Sequence, residues 1–552
     1  MKNLKYIFLS VLTFGLLACE NEELNELRDK NNPSDGVVLP DLTAGTVDFS
    51  NYVAIGPSFT AGFTDNGLFI ASQENSFPNI LAGKFANAGG GVFTQPWMND
   101  NFGGLILGGN PVINPVTGQR MFQERLVFGG AGPVPLQAVN PAAMSTTDFA
   151  LNNPTGPFNN LGIPGAKSFH FIAPGYGNIT NFPAAANPYA IRVTGNAPNA
   201  TILELAVAQN PTFFTADLIG GNDVLGYALA GGDININQIT DPAVFTGAFN
   251  AIISGLTANG AKGAVTNIPY VSSLPYFNAV PHNPLDPTDA TFGPLIPTLN
   301  GIFGQINLVY QALGQPERSI VFSETAASAV VIRDESLDDI SAQMVAAFNA
   351  SPTFPLFVQS LGLPAAAAPI VANLLGAAYG QTRQANAEDL LTLPSSAVIG
   401  TVNNDFFTFL TSQGIPAELA GQFAVEGITY ALDDRWVLLP SENSEIIAAV
   451  DAYNATIETV ANSNGLALVD VNGILTEAST TGIIFDEFNL NADLVFGGLV
   501  SLDGVHLTAR GYALMANAFL EAIDATYGSN FEASGNMAKA ANYPTNYSAL
   551  LQ

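Results

Sequence analysis

Short apolar runs alternate along this chain with longer stretches in which apolar residues recur at helical spacing. Residues 47–55 alternate between polar and apolar and then become continuously apolar, as is typical of a strand buried in a parallel sheet. Similar short runs at 213–219, 263–269 and 466–471 predict further buried strands.

Stretches with helical spacing lie between these strands and after the last of them. They predict helices over 77–86, 201–208, 242–259, 441–464 and 508–527. Strands that alternate with helices predict an α/β domain built as a three-layer sandwich around a parallel sheet.

Two stretches interrupt this alternation. Residues 89–165 are rich in Gly, Pro and Asn and predict long loops. Residues 337–379 are dominated by Ala, Leu, Val and Phe and predict several apolar helices, broken at Pro352, Pro355 and Pro364.

The N-terminus has the pattern of an export signal. A basic start at 1–5 is followed by an apolar stretch at 6–17, which is too short to span a bilayer comfortably. It ends in Leu16-Leu-Ala-Cys19, which resembles the lipobox of bacterial lipoproteins and implies a lipidated Cys19. Since Cys19 is the only cysteine, no disulfide can form within the mature chain.

Acidic and polar residues dominate the predicted tether, residues 20–46, after Cys19. Acidic residues at that place resemble the surface-export signals of Bacteroidetes-type lipoproteins. The resemblance implies an outer membrane lipoprotein, held to the membrane through the lipid on Cys19. Whether the chain faces the periplasm or the cell exterior stays open, as does its oligomeric state.

Length and charge narrow the classes of function. The chain has 552 residues, more than one ordinary domain needs, and its 16 basic and 46 acidic side chains leave a net charge of −30. That charge repels phosphate backbones, so we expect no nucleic-acid partner. We expect no metal or cofactor either. The segment at Asp233 begins like a calcium loop, but Gln238 and Val244 stand where such a loop needs Gly and Glu.

The chain has three histidines, so a catalytic base can be sought by elimination. His170 lies between aromatic residues, and His282 lies in a proline-rich turn without a preceding acid. His506 follows Asp503 by three residues, a spacing that lets the carboxylate orient the imidazole as a base. An alternative is an N-cap Asp503 beside a surface His506.

Three other short segments carry weaker signals. Ser58 follows the first predicted strand, where a nucleophile and an ordinary turn serine look alike. Asn222 follows Gly-Gly after another strand and offers an uncharged amide donor, although Gly-Asn-Asp turns are common. Gly165 lies in a predicted loop, where a glycine can present its N–H without obstruction by a side chain.

In this order the four segments resemble the GDSL/SGNH hydrolase superfamily. They read Gly56-Pro-Ser-Phe59, Asn160-Leu-Gly-Ile-Pro-Gly165, Gly220-Gly-Asn-Asp223 and Asp503-Gly-Val-His506. Pro57 is a departure, because the family has an aspartate beside the serine.

The resemblance implies roles for these residues. Ser58 would be the nucleophile, His506 the base and Asp503 its orienting acid. The oxyanion donors would be the N–H groups of Ser58 and Gly165 and the side chain of Asn222. The implied fold is a flavodoxin-like three-layer α/β/α sandwich with a parallel sheet. The implied activity is hydrolysis of acyl or acetyl esters through an acyl-serine intermediate.

The family is often about half as long as this chain, which predicts a large, mainly helical insertion. We expect a hydrolase domain in two parts, an apolar insertion or cap between them, and a polar C-terminal tail that frays after Gly528. The predicted bounds are 47–286, 287–385, 386–530 and 531–552. The insertion is either a lid for acyl chains or a subdomain packed on the core.

Two questions about function stay open at this stage. Within the esterases, the sequence fits an acyl-lipid esterase and a glycan deacetylase. The competing class is a non-catalytic binding or scaffold lipoprotein that keeps the fold, and Pro57 is the strongest hint of it.

Overall fold

A computed structural model of the protein describes residues 39–115 and 118–551. The predicted signal peptide at 1–19, with Cys19, lies outside the described residues, and so does the predicted tether up to residue 38.

A five-stranded parallel sheet confirms the predicted α/β class. Its strands are β1 (Tyr52–Gly56), β2 (Asn160–Gly162), β3 (Phe213–Ala216), β4 (Lys262–Thr266) and β5 (Ala467–Val469). They lie in the order β2-β1-β3-β4-β5, and every neighbouring pair is parallel. All residues of β1 are buried, as its continuous apolar run predicts.

Seven helices lie around this sheet in the described part of the chain; five match predicted helices, and two, which begin at Ser58 and Gly221, were not predicted. The seven are α1 (Ser58–Ala61), α2 (Phe77–Ala86), α3 (Ile202–Val207), α4 (Gly221–Leu229), α5 (Pro242–Thr257), α6 (Pro440–Asn464) and α7 (Ala509–Tyr527). Helix α5 contacts α3 and α6, α6 also contacts α4, and α2 contacts α7. Both α6 and α7 also contact β4 and β5.

The described residues form further helices and strand pairs outside this set. The remaining α-helices are Ile70–Glu74, Leu136–Val139, Pro188–Thr194, Pro275–Asn278, Ile296–Ala312, Ser341–Ala350, Phe354–Ser360, Ala368–Tyr379, Asn404–Ser412, Ala417–Phe423 and Val471–Thr480. The 3₁₀ helices are Ser168–Ile172, Ile179–Asn181, Val271–Ser273, Gly293–Leu295, Pro316–Arg318, Ala365–Ala367, Leu393–Ala397, Asp434–Trp436 and Ala540–Asn542. Antiparallel strand pairs are Ile106–Leu107 with Asn110–Pro111, Leu126–Phe128 with Pro133–Pro135, Val331–Arg333 with Thr382–Gln384, Leu390–Leu391 with Val437–Leu438, and Ile483–Phe485 with Phe488–Leu490.

The buried apolar residues form two large clusters. The first surrounds the parallel sheet and includes Phe49, whose ring stacks on Phe85 at 4.0 Å. The second is drawn from Val280 to Leu439 and has its own aromatic centre at Phe303 and Tyr379. This second cluster contains the predicted insertion, residues 287–385, and reaches beyond it on both sides.

The predicted apolar helices of 337–379 are present as three helices, with Pro352 and Pro364 between them. The predicted break at Pro355 is wrong, because this proline lies in the first turn of the second helix, where a missing N–H is tolerated. Among the described residues, no single helix is long and apolar enough to cross a membrane. One pair, Phe354–Ser360 and Ala365–Tyr379, reaches that length and composition only jointly, across a bend of 115°.

The C-terminal residues pack on the α/β part instead of fraying after Gly528. Phe531 is fully buried, and the ring of Tyr547 meets Phe69 edge-on at 5.0 Å. The guanidinium of Arg125 donates to the carbonyls of Tyr547 and Ser548. The prediction of a frayed tail was wrong because it relied on the polar composition of these residues. The few apolar residues of the tail are enough to pack it on the domain.

Candidate active site

Ser58 lies directly beyond the carboxyl end of β1, between the ends of β2 and β3. In a sheet of this order the connections leave β1 and β3 in opposite directions, which opens a crevice at their carboxyl ends. Ser58 is the first residue of α1 and is 7% exposed. The fold therefore presents its hydroxyl at the place where open α/β sheets bind ligands.

Pro57 fits this turn without cost to the hydrogen bonding of the helix. It is the N-cap of α1, and its carbonyl accepts from the N–H of Ala61 at 3.3 Å. A proline N–H is not needed at this position. Gly56 is required for a different reason, since a Cβ there would lie 2.2 Å from Oγ1 of Thr60.

Three predicted residues form a continuous chain of hydrogen bonds. Oγ of Ser58 lies 2.8 Å from Nε2 of His506, and Nδ1 of His506 lies 2.9 Å from Oδ2 of Asp503. Because an ionised carboxylate can only accept, Nδ1 carries the ring proton and Nε2 is free to accept from the Ser58 hydroxyl. This is the arrangement that a general base needs to activate a serine.

The carboxylate of Asp503 is held in its charged form. Burial by itself raises the pKa of Asp503, but the adjacent imidazole of His506 and several N–H donors outweigh it and hold the pKa well below its usual range. Those donors are the backbone N–H groups of Val505 and His506, on Oδ1, and that of Asn66, on Oδ2. Asp503 can therefore orient the imidazole and stabilise its protonated form.

Two aromatic rings border the imidazole of His506. The ring centroids of Phe59 and Phe63 lie 5.4 and 4.8 Å from that of His506. They leave the imidazole side chain 14% exposed. The base is thus shielded from water while its Nε2 faces Ser58.

Asn222 lies in the first turn of α4, beyond the carboxyl end of β3. The backbone turns sharply before it, with positive φ at Leu218 (43°) and Gly220 (108°). One amide hydrogen of Asn222 is donated to the carbonyl of Ala166 at 3.0 Å. The second has no partner among the described residues, so it is available to a ligand.

The loop that follows β2 is tied to α4 next to Asn222. Asp223 accepts from both the N–H and the hydroxyl of Ser168, each at 2.7 Å. Together with the bond from Asn222 to Ala166, these contacts connect the loops after β2 and β3 on one side of the crevice.

Gly165 lies in this joined loop and is exposed, with φ of +80°. Within the part of the chain that the structure describes, the N–H groups of Gly165 and Ser58 donate to no protein acceptor. Gly165 does not line the pocket beside Ser58, in which Asn222 is present. The structure thus brings Ser58, His506, Asp503 and Asn222 together. Gly165 lies in the neighbouring loop but does not reach the pocket beside Ser58.

An apolar pocket, termed here the near pocket, opens beside Ser58. The space between its lining atoms, with its open mouth included, is about 460 Å³. Ser58 and Asn222 supply its polar side chains. The rest of the lining is Pro57, Phe59, Leu218, Gly221, Leu225, Ile268, Pro269, Val271, Leu274 and Val505.

Sequence reasoning missed most of this pocket. Several of its residues, Ile268 to Leu274, follow β4 and therefore reach the same edge of the sheet as Ser58. The sequence does show apolar residues directly after a buried strand. Whether these residues lie near Ser58 depends on the strand order, which the local sequence does not give. The contact between Asn66 and Asp503 has no local sequence signal at all.

The other two histidines lie away from this chain of hydrogen bonds. His170 stacks on Tyr176 at 4.3 Å and accepts from the N–H of Lys167. Burial, with the charge of Lys167, lowers the pKa of His170 to about 4. His282 is half-buried in the stretch that supplies the second cluster, and its carbonyl accepts from the N–H of Val330.

One group of three carboxylates is compact enough to consider as a metal site. Oxygens of Glu335, Asp434 and Glu442 lie within 4.8 Å of one another. Burial and the neighbouring carboxylates raise the pKa of both Asp434 and Glu442. Bound protons therefore relieve part of their repulsion, and none of the three lines the near pocket.

Comparison of the chain with protein-family models, with curated proteins and with solved structures finds no match in any of the three.

Proposed function

We propose that the protein is a serine ester hydrolase of the GDSL/SGNH type. The observation that carries the proposal is the unbroken chain from Oγ of Ser58 through His506 to Asp503, with distances of 2.8 and 2.9 Å. The apolar pocket beside Ser58 gives an ester somewhere to bind. The strand order β2-β1-β3-β4-β5 is that of flavodoxin-like folds and supports the proposed three-layer sandwich.

In the first half of the reaction, Oγ of Ser58 attacks the ester carbonyl while Nε2 of His506 takes the hydroxyl proton. The new Oγ–carbon bond places negative charge on the carbonyl oxygen. The free amide hydrogen of Asn222 and the N–H of Ser58 stabilise this oxyanion, and the N–H of Gly165 would join them. The bond to the alcohol then breaks, and His506 gives its proton to the leaving oxygen.

Water completes the reaction. It loses a proton to Nε2 of His506 and attacks the acyl-Ser58 carbonyl from the side the alcohol has left. Collapse of this second intermediate releases the acid, and the proton returns to Oγ of Ser58. Asp503 stays ionised throughout, since its N–H donors and the imidazolium hold its pKa low.

Hydrolysis of p-nitrophenyl butyrate tests the proposal. The parent should hydrolyse it and Ser58→Ala should lose turnover, while Ser463→Ala, at an exposed helix position, should match the parent. Equal turnover by Ser58→Ala and the parent would overturn the assignment of the nucleophile.

We also propose that the enzyme is an outer membrane lipoprotein anchored through Cys19. The lipobox-like end of the apolar N-terminal stretch and the acidic residues that follow it support this placement. Metabolic labelling with a clickable fatty acid should mark the parent and leave Cys19→Ser unlabelled. Labelling of both proteins would contradict it.

A further inference from the structure

A second apolar cavity, termed here the far pocket, adjoins the near pocket. Both are lined by Phe59, Pro269, Leu274 and Val505, so these four side chains form their common boundary. The far pocket has about 500 Å³ of space, its opening included. Its remaining lining is Val471, Ile474, Leu475, Leu499, Val500, Leu507, Gly511, Leu514 and Met515.

Polar groups are confined to one end of this pair of pockets. Every residue of the far pocket is apolar, whereas the near pocket carries the hydroxyl of Ser58 and the amide of Asn222. A ligand that fills both must therefore be polar at one end and a plain hydrocarbon beyond it. Sugars fit poorly, because each buried hydroxyl without a partner costs about 1–3 kcal/mol.

The far pocket is formed by elements that also hold the catalytic base. Val505 and Leu507 flank His506 in the chain, and Leu514 and Met515 lie on α7, which begins directly after this segment. Leu475 lies on the helix Val471–Thr480, which follows β5. The cavity is thus part of the α/β domain, and no residue of the second hydrophobic cluster lines either pocket.

We propose that the near and far pockets together bind the hydrocarbon tail of a fatty acyl ester. The inference rests on the proposed esterase function and adds a substrate class to it. The acyl half is assigned to the pockets because Ser58 and Asn222, which line the near pocket, act on the acyl carbonyl. The tail then runs from that carbonyl past Phe59 and Leu274 into the far pocket.

A series of p-nitrophenyl esters with acyl chains from two to sixteen carbons tests this substrate class. Each CH₂ that enters the pockets should raise kcat/KM about fourfold, the equivalent of about 0.8 kcal/mol. The rise should continue beyond butyrate and stop when both pockets are full. A series of acetate esters with lengthening alcohols should show no such rise.

Two substitutions test whether the rise of kcat/KM with acyl-chain length depends on the far pocket. Ile474→Trp and Leu514→Trp fill the far pocket at half-buried positions and should lower the ratio of decanoate to butyrate kcat/KM at least tenfold. Ile484→Trp adds the same ring at a position that is 74% exposed and outside both pockets, and its ratio should equal that of the parent. Melting curves of all three variants establish that they are folded.

The possible outcomes separate this inference from the proposed function. Butyrate hydrolysis without a gain on lengthening the acyl chain would overturn the acyl-tail assignment and leave the esterase standing. A gain with lengthening alcohols, or a preference for acetylated glycans over decanoate, would overturn it as well. No hydrolysis of any ester, together with no reaction of Ser58 with a fluorophosphonate, would instead overturn the esterase function itself.

Discussion

Oγ of Ser58 lies within 2.8 Å of Nε2 of His506, although 448 residues separate them in the chain. The contact joins the first strand of the sheet to the segment that precedes the last helix. The site is therefore a property of the complete domain, and the second hydrophobic cluster, which lies between them in sequence, does not interrupt it.

Asp503→Asn should lower kcat for p-nitrophenyl butyrate roughly 10³–10⁴-fold. The amide cannot hold the imidazole in the tautomer that leaves Nε2 free, and it cannot stabilise the imidazolium. Steady-state kinetics against pH check this, with Asp493→Asn, an exposed carboxylate in the same region, as the matched control. Similar kcat values for the two variants would mean that Asp503 caps the turn and does not assist His506.

Asn222→Ala should lower kcat roughly 10²–10³-fold and change KM little, because the free amide hydrogen is used when charge develops on the carbonyl oxygen. The bond from Asn222 to Ala166 is lost too, so a melting curve must accompany the kinetics. Asn222→Asp keeps the size of the side chain and removes the donor, and it should be at least as slow. A kcat of Asn222→Asp close to that of the parent would contradict the role of Asn222 as an oxyanion donor.

Ser168→Ala should lower the free energy of unfolding by about 1–3 kcal/mol, since it removes a hydroxyl donor from the buried carboxylate of Asp223. The change loosens the connection between the loops after β2 and β3. Urea denaturation measures it, with Ser463→Ala as the exposed control. An unfolding free energy equal to that of the control would show that the backbone N–H of Ser168 suffices to hold the loops.

Asp217 should give the protein a pH-dependent stability. Burial raises the pKa of this carboxyl to about 8, although hydroxyls of Thr60 and Thr266 donate to it. The unfolded chain releases that proton near pH 4, so the folded chain holds one more proton between about pH 4 and 8. The free energy of unfolding therefore falls as pH rises through this window, by up to about 1.4 kcal/mol per pH unit.

Asp217→Asn removes this titration, so its free energy of unfolding should fall less steeply with pH than that of the parent, by up to about 1.4 kcal/mol per pH unit. Glu458→Gln, at an exposed helix position, should follow the parent. Chemical denaturation at several pH values from 4 to 8 gives the comparison. Parallel curves for Asp217→Asn and the parent would contradict the raised pKa.

Most of the α/β framework could be predicted from the sequence because its elements have strong local patterns. The helices at 77–86, 242–259 and 441–464 agree with the structure within about two residues at each end. Strand β2 could not be predicted, since its three residues have no periodicity of their own and become a strand only by pairing with β1. The packed C-terminus was missed for a similar reason, because contacts such as that of Tyr547 with Phe69 join residues that are distant in sequence.

The residues of the candidate site could be predicted from the sequence for a different reason. Ser58, Asn222 and His506 each lie in a short motif whose order along the chain resembles that of a known superfamily. Their neighbours could not be found in this way, because the apolar pockets are assembled from segments after β1, β3, β4 and β5. Which of these segments meet is decided by the strand order, and no single motif encodes it.

The most direct test of the central claim is the reaction of the folded parent with a fluorophosphonate probe, read by peptide mass spectrometry. A serine activated by His506 displaces fluoride and becomes phosphonylated, whereas an ordinary turn serine does not react. We predict one modified residue, Ser58, and no modification at that site in His506→Ala. A folded parent whose Ser58 stays unmodified would contradict the account and favour a binding protein that keeps the fold without the chemistry.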